Sequence, residues 1–458
     1  MNTRTLKQYA LAICLTAAAM MTGAGRARAE DAPTKEQLLN RITALEKRRD
    51  EKEMAGTNAP PGTKTGHLFE ADADSFKAKM AEYFGKVHFS GFASASYLYN
   101  FNRPGNLTPS VGGVGGGGGG ATDYTRGRSF DGAHNEFAIN KLKLVLEKPV
   151  DYSATNWDAG FRADLIFGQD AALIQSSGLA LGSHGDLEQL YATVNVPVGH
   201  GLQVCVGKMV TLMGVEVIEE TVNPNWSEGN QFLFVENFTG TGVQLAYKWT
   251  DKIDTQFRVL NGWDVVKDNN DALSYMGRIG FAPDDKTSIG LVGYAGPEQT
   301  GNESAWRKGI NLVASRKLTP KLTAWVQGDY GEEDASAQLA AATGNAALAT
   351  KSASWWAGGL WLTYDFTEKV GVALRGDYLK DKDGARTSGA PLTAPFPANN
   401  GQDLSSFTAT LNLKPYKNLQ VRPELRWDHS SGGLFGSHNN DVGRNSQVTA
   451  SVGVAYLF

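Results

Sequence analysis

The chain has 458 residues, with 44 basic and 48 acidic residues and a formal net charge of −4. Hydrophobic residues make up 41% and charged residues 20%, which excludes both a disordered chain and a bundle of membrane helices. The charge balance leaves no basic surface for nucleic acid. The 53 glycines exceed the average share of about 7% and, with 10% aromatic residues, favour an all-β chain rich in turns.

The first 29 residues have the pattern of a secretory signal peptide. Arg4 and Lys7 form a basic start, an apolar run follows from Tyr9 to Met21, and 27–29 (Ala-Arg-Ala) matches a cleavage site. We therefore expect residues 1–29 to be removed during export. Cys205 then remains as the only cysteine, and one thiol cannot form a disulfide within the chain.

Residues 30–85 are predicted to form a periplasmic helical, coiled-coil segment followed by a linker. Leu38, Ile42 and Leu45 have the 4-3 spacing of a coiled-coil seam. Because this seam covers little more than one heptad, the helix would have to associate with its own copies or dock elsewhere, and a frayed, solvated helix is an equal alternative. Pro, Gly and Thr in 55–67 indicate the linker.

From residue 86 to residue 458, short segments alternate apolar and polar residues, which is the pattern of half-buried strands. In 419–428, for example, Leu425 and Trp427 share one face while Arg426 and Asp428 share the other. Tight turns and long loops alternate between sixteen such segments. This arrangement is typical of outer-membrane barrels, so we predict an all-β fold, a transmembrane antiparallel up-and-down β-barrel of 16 strands.

The predicted strands span residues 86–102, 135–148, 157–168, 187–197, 202–212, 240–249, 253–263, 273–282, 287–296, 306–317, 322–331, 354–365, 370–380, 404–414, 419–429 and 445–458. Phe458, preceded by alternating aromatic residues, is similar to the assembly signal of outer-membrane proteins.

The polar face of successive strands carries charges. In lipid, the apolar face of such a barrel faces outward and the charged face lines water. The residues predicted to line this channel are Lys141, Lys143, Arg162, Asp164, Lys248, Asp254, Arg258, Arg278, Arg307, Asp329, Arg375, Asp377, Arg422, Glu424, Arg426 and Asp428. Their basic excess would favour anions, but carboxylates of a nearby loop would offset it, so ion selectivity stays open.

That loop, residues 213–239, is the third long connection. It is predicted to fold into the channel and constrict it, with its carboxylates facing wall arginines such as Arg375, Arg422 and Arg426. The alternative is an external acidic loop that only solvates the surface. The carboxylates concerned are Glu216, Glu219, Glu220, Glu228 and Glu236.

Several stretches resemble the β-barrel porin-2 (OmpL-like) family of bacterial outer-membrane porins. The resemblance implies passive uptake of small solutes and names no catalytic residue. Separately, the predicted N-terminal coil is similar to that of some trimeric and sugar-type porins. The stretches are NKLKLVLEKPV (140–150), WDAGFRADLIFGQDA (157–171), YATVNVPVGHGLQVCVGKM (191–209), MGVEVIEE (213–220), VLNGWDVVKDNND (259–271) and GYAGPEQTGN (293–302).

Together these patterns predict a porin in the outer membrane of a Gram-negative type of cell: a water-filled channel for small hydrophilic solutes and ions. The alternatives are a barrel enzyme and a structural or adhesive surface protein. The seven histidines show no zinc-type pairing and no nucleophile motif lies beside them, so neither a cofactor, a metal nor catalysis is predicted. Expected partners are outer-membrane lipids, the barrel-assembly machinery, solutes and two further copies in a homotrimer, with no nucleic acid.

Overall fold

Sixteen antiparallel strands close into a barrel in the computed structural model of the chain. The structure describes residues 85–104, 125–128, 130, 134–152, 156–179, 181–182, 184–388, 401–437 and 442–458. The predicted signal peptide (1–29) and the predicted helical segment and linker (30–85, apart from Gly85) lie outside these described residues.

The barrel strands are β1 (His88–Asn100), β2 (Glu136–Lys148), β3 (Asp158–Phe167), β4 (Gly185–Val196), β5 (Leu202–Val210), β6 (Thr239–Lys248), β7 (Ile253–Leu260), β8 (Ser274–Asp284), β9 (Thr287–Gln299), β10 (Asn302–Lys317), β11 (Leu322–Glu333), β12 (Ala353–Asp365), β13 (Val370–Asp381), β14 (Gln402–Tyr416), β15 (Leu419–Ser430) and β18 (Ser446–Leu457). Between the last two, β16 (Phe435–Gly436) and β17 (Val442–Arg444) form a separate two-stranded sheet.

Each barrel strand pairs with its neighbours along the chain, and β1 pairs with β18 to close the ring. Gly91 and Phe458 exchange backbone hydrogen bonds at this seam, with N···O distances of 3.0 and 2.9 Å. The predicted sixteen-strand antiparallel barrel is therefore confirmed. All sixteen predicted spans overlap the observed strands, and their ends differ by a few residues at most.

Short helices lie in the long loops, and the alternation pattern did not predict them. They are α1 (Ala171–Ile174), α2 (Asn230–Phe234), α3 (Ala337–Thr343) and a 3-10 turn (Ala346–Ala349). The Ser336 hydroxyl caps α3 by accepting a hydrogen bond from the Leu339 amide at 2.9 Å. Within the described ranges, no helix has the length and apolar character needed to cross a membrane.

Alternation along each strand separates an apolar outer face from a largely polar inner face. On β15, Leu425 is 54% exposed and Trp427 is 42% exposed, whereas Arg426 between them is fully buried. Because side chains of a strand point alternately to opposite faces, exposed apolar residues mark the outside of the ring and buried charges mark its inside.

Candidate functional site

The third loop, residues 211–238 between β5 and β6, contacts the inner faces of strands on several sides of the barrel. The Gly214 amide donates to Asn311 Oδ1 on β10 (3.2 Å), and the Val215 amide donates to Gln327 Oε1 on β11 (2.9 Å). Farther along, the Trp226 amide donates to Glu424 Oε2 on β15 (2.9 Å). A segment can meet all these strands only from inside the ring, so the loop crosses the barrel interior.

An ion pair anchors the loop to β13. Arg375 Nη1 lies 2.6 Å from Glu216 Oε1, and the same oxygen accepts a hydrogen bond from the Trp361 indole at 3.1 Å. Asp377 Oδ2 lies 3.2 Å from Arg375 Nε. Because all three charged groups are nearly inaccessible to solvent, the arginine is balanced by carboxylates from both the loop and the wall.

Two lysines of β2 hold the loop at another part of the wall. Lys141 Nζ lies 2.6 Å from Glu220 Oε2 and 3.2 Å from Asp170 Oδ2. Lys143 pairs with Glu219 of the loop and with two wall carboxylates. Those two are Asp164, at 3.0 Å, and Glu188, at 2.9 Å.

The three carboxylates around Lys143 have oxygens within 4.8 Å of one another, a spacing that could suit a metal ion. The ammonium group of Lys143 already contacts all three, which accounts for their convergence without a metal. Glu188 was absent from the predicted set because a β-bulge opposite Asp164 and Leu165 turns both Glu188 and Gln189 inward. In the sequence, the two consecutive polar residues between Leu187 and Leu190 were the indication of this bulge.

The arginines of β15 meet backbone carbonyls rather than the predicted loop carboxylates. Arg422 Nη2 donates to the carbonyl oxygens of Asn223 (2.8 Å) and Pro224 (2.6 Å). Arg426 Nη1 donates to the Glu228 carbonyl oxygen (2.7 Å), and its Nε donates to Asp428 Oδ1 (2.7 Å). These bonds fix the path of the loop backbone and leave its carboxylates to other partners.

Glu228 and Glu236 are buried in the loop and form no ion pair with any described residue. Burial raises the pKa of each well above the ordinary value, and the nearby Asp329 carboxylate raises that of Glu236 further. Glu236 Oε1 accepts a hydrogen bond from Gln327 Nε2 at 2.7 Å, and the same amide nitrogen lies 3.0 Å from Asp329 Oδ2. An acid in this position is most stable with its proton.

The remaining predicted wall charges pair with one another or with wall groups. Arg162 pairs with Asp164 (2.8 Å), Arg278 with Asp254 (2.5 Å) and Arg307 with Glu333 (2.9 Å). Two others make further contacts: Lys248 is exposed beside Asp251 (2.8 Å), and Arg258 donates to the Val210 carbonyl oxygen (2.6 Å).

Beneath the third loop, beside the β12–β13 turn, a cavity of about 260 Å³ is lined by Asn223, Trp325, Asp365, Lys369 and Arg422, among others.

One part of the inner wall departs from the expected polar lining. Leu260, Met276, Val292 and Tyr294 on β7–β9 pack together inside the barrel against Met213 of the third loop. Simple alternation predicts that the side chains on this inner face contact water. Apolar residues and glycines on both faces of β8 and β9 were the available signal, because they break the apolar–polar period.

Comparison with known proteins agrees with this architecture. The family model described as "Putative beta-barrel porin-2, OmpL-like" matches residues 86–458. No curated protein is similar in sequence at a significant level.

Among solved structures, the chain is similar to the outer membrane channel DcaP of Acinetobacter baumannii, with 12% identity, a TM-score of 0.50, and coverage of 81% of this chain and 97% of that one. It is also similar to an anion-selective porin from Comamonas acidovorans, with 12% identity, a TM-score of 0.50, and coverage of 81% and 99%. It is also similar to OprB of Pseudomonas putida, with 12% identity, a TM-score of 0.50, and coverage of 84% of this chain and 97% of that one. At this identity the likeness establishes the fold.

Proposed function

Because the chain belongs to the "Putative beta-barrel porin-2, OmpL-like" family, we propose that this porin-like barrel passes small hydrophilic solutes and ions across the outer membrane by passive diffusion. The observation that carries the proposal is a closed ring of sixteen strands with apolar residues outside and ionisable residues inside. Such a wall places lipid on one side and water on the other.

The inner-face charges are proposed to line the pathway, and the third loop is proposed to constrict it. Glu216, Glu219 and Glu220 support this role through their ion pairs with Arg375, Lys143 and Lys141. Glu228 belongs to the same constriction through its contact with Asn223, at 3.3 Å. The paired charges set a fixed electric field across the opening, which orients polar solutes.

Residues 1–29 are proposed to direct export and to be cleaved, with 30–85 as a periplasmic segment and 86–458 as the membrane barrel. The proposed partners are outer-membrane lipids along the apolar outer face, the barrel-assembly machinery at the strand that leads to Phe458, and small solutes within the channel. A homotrimer is proposed because porins commonly assemble in this way, and no role is proposed for nucleic acid.

An enzymatic role is not proposed. The family is described as porins and the similar structures as channels or porins rather than enzymes.

The proposal is tested by adding the purified mature chain to planar lipid bilayers. We expect stepwise increases in conductance that scale with salt concentration, together with swelling of protein-loaded vesicles in small sugars. A matched preparation of Leu291→Arg, which places a charge on the outer face, serves as the control that should not insert. The sample must first be shown to be folded, by its resistance to unfolding in detergent. If such folded protein gives no conductance steps at any voltage, the proposal is overturned.

A further inference from the structure

A glycine-floored recess lies on the inner face of β9–β12. Tyr294 is the register partner of Gly309, Gly309 of Gly331, and Gly331 of Trp355. The two glycines leave room for the rings at either end to lean inward. A methyl group built on Gly331 would lie 2.6 Å from the Tyr294 hydroxyl and 2.5 Å from the Trp355 indole. Both rings therefore meet above the same glycine.

The two rings present unused hydrogen-bond donors there. The Tyr294 hydroxyl and the Trp355 indole nitrogen are buried and have no hydrogen-bond partner among the described residues. An unpaired buried donor costs roughly 1–3 kcal/mol. An acceptor atom delivered by a solute would recover part of that cost.

Two arginines and a third aromatic ring border the recess. Trp263 meets Tyr294 edge-to-face, with ring centroids 5.1 Å apart. The guanidinium carbon of Arg307 lies 4.9 Å from the Trp263 ring centre, and that of Arg386 lies 5.4 Å from the ring centres of both Trp263 and Trp355. Stacking on aromatic faces holds both cations beside the recess.

The two arginines differ in how their charge is balanced. Arg307 makes a two-pronged contact with Glu333, with distances of 2.9 and 3.1 Å from its Nη2. Arg386 donates from Nε to the Phe234 carbonyl oxygen at 2.6 Å and forms no ion pair with any residue in the described ranges. Burial lowers the pKa of Arg386 to about 10, so this arginine still carries its charge at neutral pH.

Nearby carboxylates accept hydrogen bonds from the protein itself. Glu298 accepts the Trp263 amide at 2.6 Å and the Ser274 hydroxyl at 2.7 Å. Asp381 accepts the amides of Arg386 (2.8 Å) and Thr387 (2.7 Å). These acids hold the backbone that carries Trp263 and Arg386, and among the described residues no carboxylate contacts the terminal nitrogens of Arg386.

Below the rings, the wall is apolar. Trp263 packs against the cluster that contains Met213, Leu260, Met276 and Val292. A solute that placed an acidic group against Arg386 would therefore have hydrocarbon beside its other end.

We propose that Arg386, Tyr294, Trp355 and Trp263 form a binding site inside the barrel for a carboxylate attached to a flat apolar body, the chemistry of an aryl carboxylate. The carboxylate accepts hydrogen bonds from the Arg386 guanidinium and from the two unused donors, the Tyr294 hydroxyl and the Trp355 indole N–H. The ring of the solute lies beside Trp263. The inference rests on the proposed function in that it names a class of solute for the channel.

Binding is measured without relying on conductance, by fluorine NMR line broadening of 4-fluorobenzoate with the detergent-solubilised mature protein. Fluoroacetate supplies the charge without the ring, and 4-fluorobenzyl alcohol supplies the ring without the charge. We expect 4-fluorobenzoate to bind at least tenfold more tightly than either. Arg386→Gln should weaken its binding about tenfold, and Tyr294→Phe, which keeps the packing, should weaken it several-fold.

Arg316→Gln is the matched control, because it removes the same charge from an exposed position on β10 away from the recess. Binding of 4-fluorobenzoate should not change in this variant. Equal binding of the three probes, or equal losses in the Arg386 and Arg316 variants, would overturn the inference. Conductance is recorded separately on the same preparations, so that a conducting barrel without this binding refutes the site alone, and a non-conducting barrel refutes the channel.

Discussion

Arg375 on β13 and Glu216 on the third loop join the barrel wall to the segment that crosses it, with 2.6 Å between Nη1 and Oε1. Both side chains are almost completely buried. Removing one member of a buried pair leaves the other charge poorly compensated, which costs roughly 3–5 kcal/mol. The pair therefore fixes the position of the loop relative to the wall.

Glu216→Gln should loosen this anchor. We expect larger open-channel current fluctuations and a lower free energy of unfolding in lipid vesicles, by up to about 3 kcal/mol because Asp377 still faces the arginine. Glu303→Gln, which changes an exposed glutamate of β10, is the control and should behave like the wild type. Identical current noise in both variants would mean that the pair does not hold the loop.

Gly453→Ala should displace the third loop without harming the barrel. Gly453 lies on the inner face of β18, where an added Cβ would overlap the indole of Trp226. The loop must then move, and we expect conductance to change, whereas Gly328→Ala, on the outer face with open space around it, should have no effect. The double variant Trp226→Ala/Gly453→Ala should relieve the clash; if it does not, the contact is not the cause.

The paired substitution Glu219→Gln/Glu220→Gln should shift ion preference toward anions. It removes two negative charges that contact Lys143 and Lys141 across the interior. The measurement is the reversal potential in a potassium chloride gradient. Glu303→Gln/Glu332→Gln, which removes the same charge from an exposed position on β10 and from the outer face of β11, is the matched control. An unchanged reversal potential in the first variant would place the loop carboxylates outside the ion path.

Glu236 should make stability depend on pH. Its pKa is raised in the folded protein, chiefly by burial and then by Asp329, so folding favours the protonated form. This stabilisation is present below the unfolded pKa and is lost as pH rises toward the folded pKa. We expect the wild type to be less stable at pH 8 than at pH 5, and Glu236→Gln to reduce that difference. Urea unfolding in vesicles at both pH values measures the free energy of unfolding. If the difference between pH 5 and pH 8 is the same in the wild type and in the variant, the prediction is wrong.

Leu291→Arg should block membrane assembly. Leu291 lies on the outer face of β9, and a charge at the bilayer midplane costs about 2–4 kcal/mol. Gln256→Arg places the same side chain on the inner face of β7, which is separated from β9 by β8, and should assemble normally. Heat-dependent migration in detergent gels reports folding, and equal yields of the two folded variants would contradict the assignment of faces.

The barrel could be predicted from sequence because lipid and water impose a period of two on every strand. The run from Leu419 to Asp428 carries that signal fully, and the structure places its apolar and charged residues on opposite faces as expected. Strand count and order followed from the same periodicity together with the alternation of turns and loops.

The details of the site were harder to predict, because they depend on local breaks in that period and on contacts distant in sequence. A bulge turns Glu188 inward, and the apolar inner wall at Met276 and Val292 has no polar alternation to mark it. The choice of partner for each arginine depends on the path of the loop backbone. Alternation identified Arg422 as an inner-face residue but could not show that it binds the carbonyl oxygens of Asn223 and Pro224.

The hydrogen bonds between Gly91 and Phe458 have a consequence for how the protein is made. Hairpins can form in chain order as the barrel assembles, but β1 has no partner on one side until β18 arrives. Until that moment two strand edges remain open to other chains, and this exposure invites aggregation. We therefore expect the polypeptide to need an escort that keeps it unfolded until it reaches lipid, and truncations that remove β18 to be degraded.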